Sequence, residues 1–330
     1  MLNDPPREQV RIGPVATWFP EAAARVATLA ELHDLPPNRR DHALALGIDT
    51  VRTADGLTEV DLAAEAARSA LAAADLDAAD VDALLLVTGR APEYLLASET
   101  TRLQHRLGAT RAFTAGVGDL GCVSISAALT LAAALLRGDA RCRTVLVAVA
   151  AKTPTRRRYR PPMTLLGDGA AAFLVTGSGG RWEFVDHILR SDGRYADLFR
   201  IDYRDIPAAD WTEDCADEST YSFRLAVESK KRFEAIIPEL LQRNGIRIGD
   251  TGPILMQNLS SGAFAFWEEA LEVPIDKGCR ENLAAYGHLG SMDMLVNLES
   301  AAATRMPGEY ALLLNSSPVA AWSAGLMRRV

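Results

Sequence analysis

The chain has 330 residues, of which 48% are hydrophobic and 24% are charged, and its formal net charge is −8. This length can bury a large core, and the composition is that of an ordinary globular protein. The negative charge argues against a nucleic-acid binder, because such proteins present a basic surface. The four cysteines, at positions 122, 142, 215 and 279, show neither metal-ligand spacing nor a disulfide framework. We therefore expect a reducing, cytoplasmic environment and no metal site.

Neither a secretion signal nor a membrane span is expected. Residues 1–11 are polar and contain prolines, unlike the charged and then apolar pattern of a signal peptide. The apolar run that follows Cys122 is too short to cross a bilayer and is broken at Arg137-Gly138-Asp139.

The first half of the chain alternates predicted strands and helices. Thr58 can cap the first strong helix, with Asp61 at the capping-box position three residues later. In chain order the predictions are a strand over 10–19, a loop over 33–40, a helix over 58–74, a buried strand over 81–88, a helix over 98–107, a buried strand over 143–150, and a glycine turn leading into a strand over 167–175.

Cys122 lies where a loop of small residues turns into an Ala/Leu-rich run at 126–136. That run has no wide polar face and predicts a buried helix. Backbone N–H groups and the positive end of the helix dipole at its start favour a thiolate. From position alone, Cys122 can equally be a small buried hydrophobe, which is the usual fate of a free cysteine.

The second half repeats this plan after a glycine seam at Ser178-Gly179-Gly180. We therefore divide the chain into a half over 1–178, which contains the cysteine, and a half over 179–330, which contains His288. The predicted elements are helices over 223–244, 261–271 and 292–303, short strands over 253–257 and 310–314, and a glycine turn at 286–290.

The internal repeat predicts an α/β fold with helices on both faces of each sheet. In each half a small-residue turn enters a helix that is followed by an apolar strand, so the Cys122 turn corresponds to the His288 turn. Two such units packed back to back would make two sheets with a shared helical layer between them. The helices after Cys122 and His288 would lie in that layer, with their N-termini directed at one place.

Four segments resemble the ketoacyl-acyl-carrier-protein synthase III group of the thiolase superfamily. They are Gly121-Cys122-Val123-Ser124, Leu166-Gly167-Asp168-Gly169-Ala170-Ala171, Tyr286-Gly287-His288-Leu289-Gly290-Ser291 and Trp322-Ser323-Ala324-Gly325-Leu326. The order and spacing of these motifs agree with the group over about residues 10–330. The resemblance implies a thiolase fold with five αβαβα layers, a homodimer and Cys122 as the nucleophile.

Two departures from the group bear on function. Gln257 stands where its condensing members have a histidine, and His288 stands where they have an asparagine. The pair that assists decarboxylation of a malonyl group is therefore absent in its usual form. Cys122, His288 and Asp293 can instead form a nucleophile, a base and a group that orients the base. Gln257 is expected to line the substrate pocket.

This set is similar to the acyltransferase branch of the group in natural-product biosynthesis, for instance of antibiotics or polyketides. It implies transfer of an acyl group from a carrier-protein or CoA thioester, through Cys122, to a hydroxyl, amine or thiol. The acyl-phosphopantetheine would be a substrate, and no bound cofactor is expected. The alternatives are a decarboxylative condensing 3-oxoacyl synthase, a non-catalytic partner subunit and a hydrolase.

Two loops complete the prediction. The basic loop at 156–160 offers Arg157, Arg158 and Arg160 to an acidic carrier protein or a phosphopantetheine phosphate, or else it is a solvated basic loop. The turn around Asp168 is expected to be structural. The backbone N–H of Cys122 would be the first oxyanion donor. The resemblance implies that a C-terminal loop supplies the second; here that loop is 315–318, which does not identify the donor, and Pro318 has no N–H to give.

Overall fold

The computed structural model describes residues 9–89, 92–94, 96–319 and 321–330, so most of the polar start predicted over 1–11 lies outside the described residues. The elements of the first half are β1 (Arg11–Ile12), β2 (Ala16–Trp18), β3 (Ala23–Arg25), α1 (Ala30–His33), α2 (Pro37–Leu44), β4 (Thr50–Arg52), α3 (Glu59–Ala73), β5 (Ala83–Val87), α4 (Glu99–Leu107), β6 (Phe113–Val117), α5 (Ser124–Gly138), β7 (Thr144–Ala151), β8 (Tyr159–Arg160), β9 (Thr164–Leu165) and β10 (Gly169–Thr176). Those of the second half are β11 (Trp182–Ser191), β12 (Phe199–Arg200), β13 (Asp214–Cys215), α6 (Ala226–Arg243), β14 (Leu255–Met256), α7 (Ser261–Leu271), α8 (Lys277–Tyr286), α9 (Asp293–Ala302), β15 (Tyr310–Ser317) and β16 (Ala321–Arg329).

The two halves share one strand order. The main sheet runs β14-β15-β16-β11-β1-β10-β7-β5-β6, with β2 also paired to β10. Along β6-β5-β7-β10-β1 the main strands of the first half appear as third, second, fourth, fifth and first in the chain. The second half has four main strands, which run second, third, fourth and first in the chain along β14-β15-β16-β11; this is the same order without a counterpart of β6. This shared order confirms the predicted duplication.

The sheets of the two halves are joined, whereas the sequence predicted two separate sheets. Strand β1 pairs antiparallel with both β10 and β11, so hydrogen bonding continues from one half into the other. Each of these pairings is only two residues long. The predicted boundary at 178/179 lies in the turn between β10 and β11.

The central first-half strands β5, β7 and β10 are buried on both faces, as expected of strands covered by helices. Successive side chains of a strand point to opposite faces. Leu84 and Leu86 of β5 pack in one core with α3, while Leu85 and Val87 belong to a second core that contains α5 and α9. The helices that follow the cysteine and histidine turns therefore share the inner layer.

Helix α3 begins as predicted. Oγ1 of Thr58 accepts from the N–H of Asp61 at 3.1 Å, and the Asp61 carboxylate accepts from the N–H of Thr58 at 2.7 Å. This capping box satisfies two of the N–H groups left free at a helix start.

The prediction of a loop over 33–40 is wrong for the second half of that range, because α2 begins at Pro37. Proline suits the first position of a helix, where its missing N–H has no partner to lose. Helix α8 was not predicted from the sequence as a separate helix.

Within the described residues, one segment, Gly121–Gly138, is long and apolar enough to cross a membrane by length and composition alone, so the expectation that this run is too short is not met. It contains α5, half of the segment is buried in the fold, and it packs against the sheet. Its apolar composition is accounted for by this inner position.

Candidate active site

Cys122 lies between β6 and α5, in a short 3-10 turn over Gly121–Val123. The residue is 3% exposed and lines a cavity. Gly121 has φ +53°, and a Cβ at this position would lie 2.5 Å from Oγ of Ser317. Glycine therefore allows the cysteine turn to approach the end of β15 closely.

His288 lies in the matching turn, between α8 and α9. Gly287 precedes it with φ +69°, and a 3-10 turn over Gly290–Met292 leads into α9. Oγ of Ser291 donates a hydrogen bond to the carbonyl of Gly121 at 2.8 Å. The two turns are thus in direct contact, as the repeat predicted.

Cys122, His288 and Asp293 form a continuous chain of polar contacts. Sγ of Cys122 lies 3.4 Å from Nε2 of His288, and Nδ1 of His288 lies 2.6 Å from Oδ2 of Asp293. The N–H groups of Leu289 and Asn258 donate to the same carboxylate at 2.8 and 3.0 Å. These contacts hold the imidazole with Nδ1 toward the carboxylate and Nε2 toward the thiol.

The electrostatics of the site favour a charged His288. Burial lowers the pKa of the imidazole, but the charges of Asp293 and Cys122 outweigh burial and raise the pKa of His288 to about 9. At neutral pH the imidazolium faces the sulfur and favours the thiolate, which is the nucleophilic form of a cysteine.

A buried amide network supports the aspartate and was missed from the sequence. Nδ2 of Asn297 donates to the carbonyl of Met256 at 2.7 Å and to Oδ1 of Asn258 at 2.9 Å. Asn282 donates to Oδ1 of Asn297 at 2.9 Å. Because the N–H of Asn258 contacts Asp293, the network fixes the orientation of that carboxylate.

Gln257 is placed differently from the prediction that it lines the substrate pocket. Its Nε2 donates to the carbonyl and to Oγ of Ser316, at 3.0 and 2.6 Å, and its Oε1 accepts from the N–H of Ser316 at 3.0 Å. Gln257 is not among the described residues that line the cavity of Cys122. Its carboxamide fixes the loop at 315–318.

That loop also contacts the nucleophile. Nδ2 of Asn315 donates to the carbonyl of Cys122 at 2.7 Å, and Val319, just after the loop, lines the cavity. The second oxyanion donor stays a prediction for this segment.

The Gly167-Asp168-Gly169 turn is structural and adjoins the histidine turn. The N–H of His288 donates to the carbonyl of Leu165 at 2.9 Å, and the N–H of Gly167 donates to the carbonyl of His288 at 3.1 Å. The Asp168 carboxylate accepts from the N–H groups of Ala54 and Thr153, at 2.8 and 3.0 Å.

The three arginines predicted to bind a carrier or a phosphate are separated by the fold. Arg158 forms a two-pronged ion pair with Asp168, at 2.8 and 3.2 Å, and is thereby part of the structural turn. Arg160 is buried against Glu213, whereas Arg157 is exposed. Of the three, Arg157 alone has a solvent-exposed side chain.

The cavity of Cys122 has a volume of about 650 Å³. Besides the catalytic pair, its lining includes an apolar group from the loop after β11, namely Phe199, Ile201, Tyr203 and Trp211. Within the described ranges, no three His, Cys, Asp or Glu side chains are grouped to hold a metal ion.

The cavity wall also includes a partly buried carboxyl, that of Glu59, which was not predicted from the sequence. Burial and the nearby charge of Glu99 raise the pKa of Glu59 to about 8, although Lys152 acts in the opposite direction. A Cβ at Gly89 would lie 2.0 Å from this carboxyl, so a larger residue at this position would displace the Glu59 side chain. No sequence motif marked Glu59, because its burial depends on the strand that ends before Gly89.

Comparisons with known proteins agree with this geometry. Residues 119–193 match the family model of 3-oxoacyl-[acyl-carrier-protein (ACP)] synthase III. The β-ketoacyl-[acyl-carrier-protein] synthase III of Oleidesulfovibrio alaskensis is 31% identical over 294 residues, which cover 83% of this chain and 86% of that protein. The enzyme of the same name from Rubrobacter xylanophilus is 29% identical over 280 residues, covering 83% and 84%.

Solved structures share the fold over nearly the whole chain. The acyltransferase ChlB3 superposes with a TM-score of 0.81 at 21% identity, covering 98% of both chains. The 3-oxoacyl-(acyl carrier protein) synthase III of Pseudomonas aeruginosa superposes with a TM-score of 0.79 at 19% identity, covering 97% of this chain and 98% of that one.

Proposed function

Because the chain belongs to the β-ketoacyl-acyl-carrier-protein synthase III family of the thiolase superfamily, we propose that it is an acyltransferase that works through a Cys122 acyl-enzyme. The acyl group comes from a carrier-protein or CoA thioester and passes to a hydroxyl, amine or thiol of an acceptor in secondary metabolism. The observation that carries the proposal is the buried chain from Sγ of Cys122 through His288 to Asp293 at the wall of the cavity.

The chemistry needs only these groups and an oxyanion site. The thiolate of Cys122 attacks the thioester carbonyl, the new C–S bond forms, and the donor thiol leaves with the proton held by His288. His288, now neutral, then removes the proton of the acceptor nucleophile as that nucleophile attacks the acyl-enzyme. Asp293 keeps the imidazole in one tautomer through both steps.

The position of Gln257 argues against condensation. Decarboxylation of a malonyl group creates an enolate whose oxygen needs donors aimed at it. The Gln257 amide is engaged with Ser316 at both its nitrogen and its oxygen. A neutral amide also cannot act as a general acid. The site therefore supplies one base, His288, which is sufficient for transfer.

The second candidate is a decarboxylative condensing 3-oxoacyl synthase, which the names of the curated relatives favour. A non-catalytic partner subunit is disfavoured by the complete contact chain at Cys122, and a hydrolase would differ only in delivering the acyl group to water. Release of carbon dioxide from a malonyl thioester by acylated enzyme would establish the condensing alternative.

Intact-mass spectrometry tests the proposal. The protein is incubated with a panel of acyl thioesters, and a mass increase equal to the acyl group is expected on wild type but not on Cys122→Ala. An absence of any adduct, or an equal adduct on the variant, would overturn the acyl-enzyme.

Two further variants separate the roles of the polar groups. His288→Ala should slow acylation by about 10²-fold or more, because the base is lost. Gln257→Ala should slow acylation by less than about tenfold, because it removes only hydrogen bonds to the loop at 315–318. Equal effects of the two substitutions would contradict the assignment of the base.

The partners follow from the same proposal. An acyl carrier protein is the expected donor, and the exposed Arg157 and Arg156 offer positive charge to its acidic surface. The four free thiols are consistent with a reducing cytoplasm. A homodimer is also proposed, and it is argued below from the edge of the sheet.

A further inference from the structure

The turn that contains Cys122 has a close copy in the second half of the chain. Each turn enters its helix through a short 3-10 segment, Gly121–Val123 before α5 and Gly290–Met292 before α9. The two glycines have φ +53° and +60°, and the leucines that precede them have φ −100° and −107°. Ser291 therefore occupies in the second half the position that Cys122 occupies in the first.

The first residue of each helix closes its turn in the same way. Oγ of Ser124 accepts from the N–H of Leu120 at 3.2 Å, and Oδ1 of Asp293 accepts from the N–H of Leu289 at 2.8 Å. The two backbones thus match residue by residue from the leucine to the start of the helix. The contact between the turns is therefore a property of the duplicated fold.

The hydroxyl of Ser291 contacts the peptide unit that precedes the nucleophile. Its Oγ donates to the carbonyl of Gly121 at 2.8 Å, and the N–H of Ser124 donates to the same oxygen. That carbonyl and the N–H of Cys122 belong to one planar trans peptide, so they point in opposite directions. A donor that fixes the Gly121 carbonyl therefore also fixes the direction of the Cys122 N–H.

The peptide between Gly121 and Cys122 depends on such a donor because one of its residues is glycine. A residue without a Cβ moves easily between conformations that other residues avoid. A change in ψ of Gly121, together with φ of Cys122, would turn the peptide plane over. The carbonyl oxygen would then lie where the N–H had been, and it would repel an oxyanion that the N–H stabilises.

The peptide that follows Cys122 is fixed by another residue. Nδ2 of Asn315 donates to the carbonyl of Cys122 at 2.7 Å. The N–H of the same peptide, that of Val123, donates to the carbonyl of Leu120 at 3.1 Å. These contacts hold the cysteine in its turn, whereas the contact from Ser291 acts on the peptide that contains the predicted oxyanion donor.

We propose that Ser291 is a positioning residue that keeps the N–H of Cys122 directed at the oxyanion formed during acyl transfer. It acts through the carbonyl of Gly121 rather than on the acyl group. The inference rests on the proposed function, because this oxyanion arises when Cys122 attacks a thioester. In that step the new C–S bond forms and the π electrons of the thioester carbonyl move to its oxygen, and they return when the donor thiol leaves.

The test compares two reactions of the same thiolate. Acylation by a thioester passes through an oxyanion, whereas alkylation by iodoacetamide forms a C–S bond as iodide leaves and creates none. Single-turnover acylation is followed by intact mass over a range of concentrations of the panel thioester that acylates wild type fastest. Alkylation is followed on the peptide that contains Cys122. Rate constants are compared, because an unfolded fraction changes the amplitude of acylation and not its rate constant.

Ser291→Ala should lower the limiting acylation rate by about tenfold at an unchanged half-saturating thioester concentration. The loss is smaller than the cost of deleting an oxyanion donor, about 10²- to 10³-fold, because the N–H of Ser124 still donates to the same carbonyl. Alkylation should change by less than about twofold. Ser126→Ala is the matched control, since its hydroxyl contacts Oγ of Ser323 at 2.8 Å, and both rates should stay at their wild-type values.

A pair of variants of similar shape isolates the hydroxyl and keeps the test decisive if Ser291→Ala does not fold. Ser291→Thr retains a donor and should acylate at close to the wild-type rate. Ser291→Val has no donor and should be slowed as much as Ser291→Ala. Because the two side chains differ only in a hydroxyl against a methyl group, a difference in acylation between them reports the hydrogen bond to Gly121.

Three outcomes would overturn the proposal. Equal slowing of acylation and alkylation would make Ser291 a purely structural residue. A raised half-saturating concentration at an unchanged limiting rate would make it a residue that binds the donor. A wild-type acylation rate in the variants without a hydroxyl would show that Gly121 does not need it. If wild type forms no adduct with any thioester, the proposed function itself fails, which differs from an adduct whose rate ignores Ser291.

Discussion

At the scale of single residues, the charge state of the Cys122–His288 pair determines what the site can do. Burial opposes an imidazolium, yet Asp293 and Cys122 together raise the pKa of His288 to about 9. An imidazolium that faces Sγ of Cys122 favours the thiolate, which is the form of a cysteine that attacks a thioester.

NMR of isotope-labelled histidine should show the His288 ring titrating near pH 9. Cys122→Ser should lower this pKa, because a charge that raises it is removed.

Since the folded-state pKa lies above the usual 6.5, protonated His288 stabilises the fold fully below pH 6.5 and loses this effect as the pH rises toward 9. Denaturant unfolding should show that decline in wild type and not in His288→Gln. A ring that titrates below 6.5 would contradict this electrostatic account.

At the scale of elements, the site depends on turns from both halves that hold one another. The turn at Gly167 contacts the His288 turn through two backbone hydrogen bonds. A Cβ at Gly167 would lie 2.1 Å from the carbonyl oxygen of Tyr286, so the two turns leave no room for a side chain. The base is therefore positioned by a segment of the other half.

Gly167→Ala should consequently displace the His288 turn. We expect acylation of Cys122 to slow by about 10²-fold, the usual cost of moving a reacting group by about 1 Å. Gly138→Ala, at the end of α5, is the matched control, because a Cβ there meets no atom within 4 Å. Single-turnover acylation and thermal unfolding are measured together, and a wild-type rate in Gly167→Ala would show that the turns tolerate the shift.

The sequence could predict the elements that repeat and the turns they bring together, because periodicity and small-residue turns are local signals. It placed Thr58 as a cap and brought Cys122 near His288. It could not predict the partners of Arg158 and Arg160, because these ion pairs join the basic loop to Asp168 and Glu213 in other segments. Partners of this kind are fixed by tertiary packing and leave no pattern in the chain.

At the scale of the whole molecule, the duplicated sheet leaves an edge at β6. Within the described residues, β6 is hydrogen-bonded to a neighbouring strand, β5, on one side only. Phe113 at the start of this strand is 61% exposed. An exposed edge strand that carries a large apolar side chain is a template for pairing with another chain.

A second copy of the chain is the occupant we propose for this edge, since two β6 strands related by a two-fold axis would continue the sheet and bury both phenylalanines. Wild type should therefore sediment at twice the monomer mass at micromolar concentration. Phe113→Asp should shift it toward the monomer, because the pairing would bring two carboxylates to one apolar interface. Met306→Asp, at a 67% exposed position in a turn before β15, should leave the dimer intact. A monomeric wild type, or equal dissociation in both variants, would place the interface elsewhere or remove it.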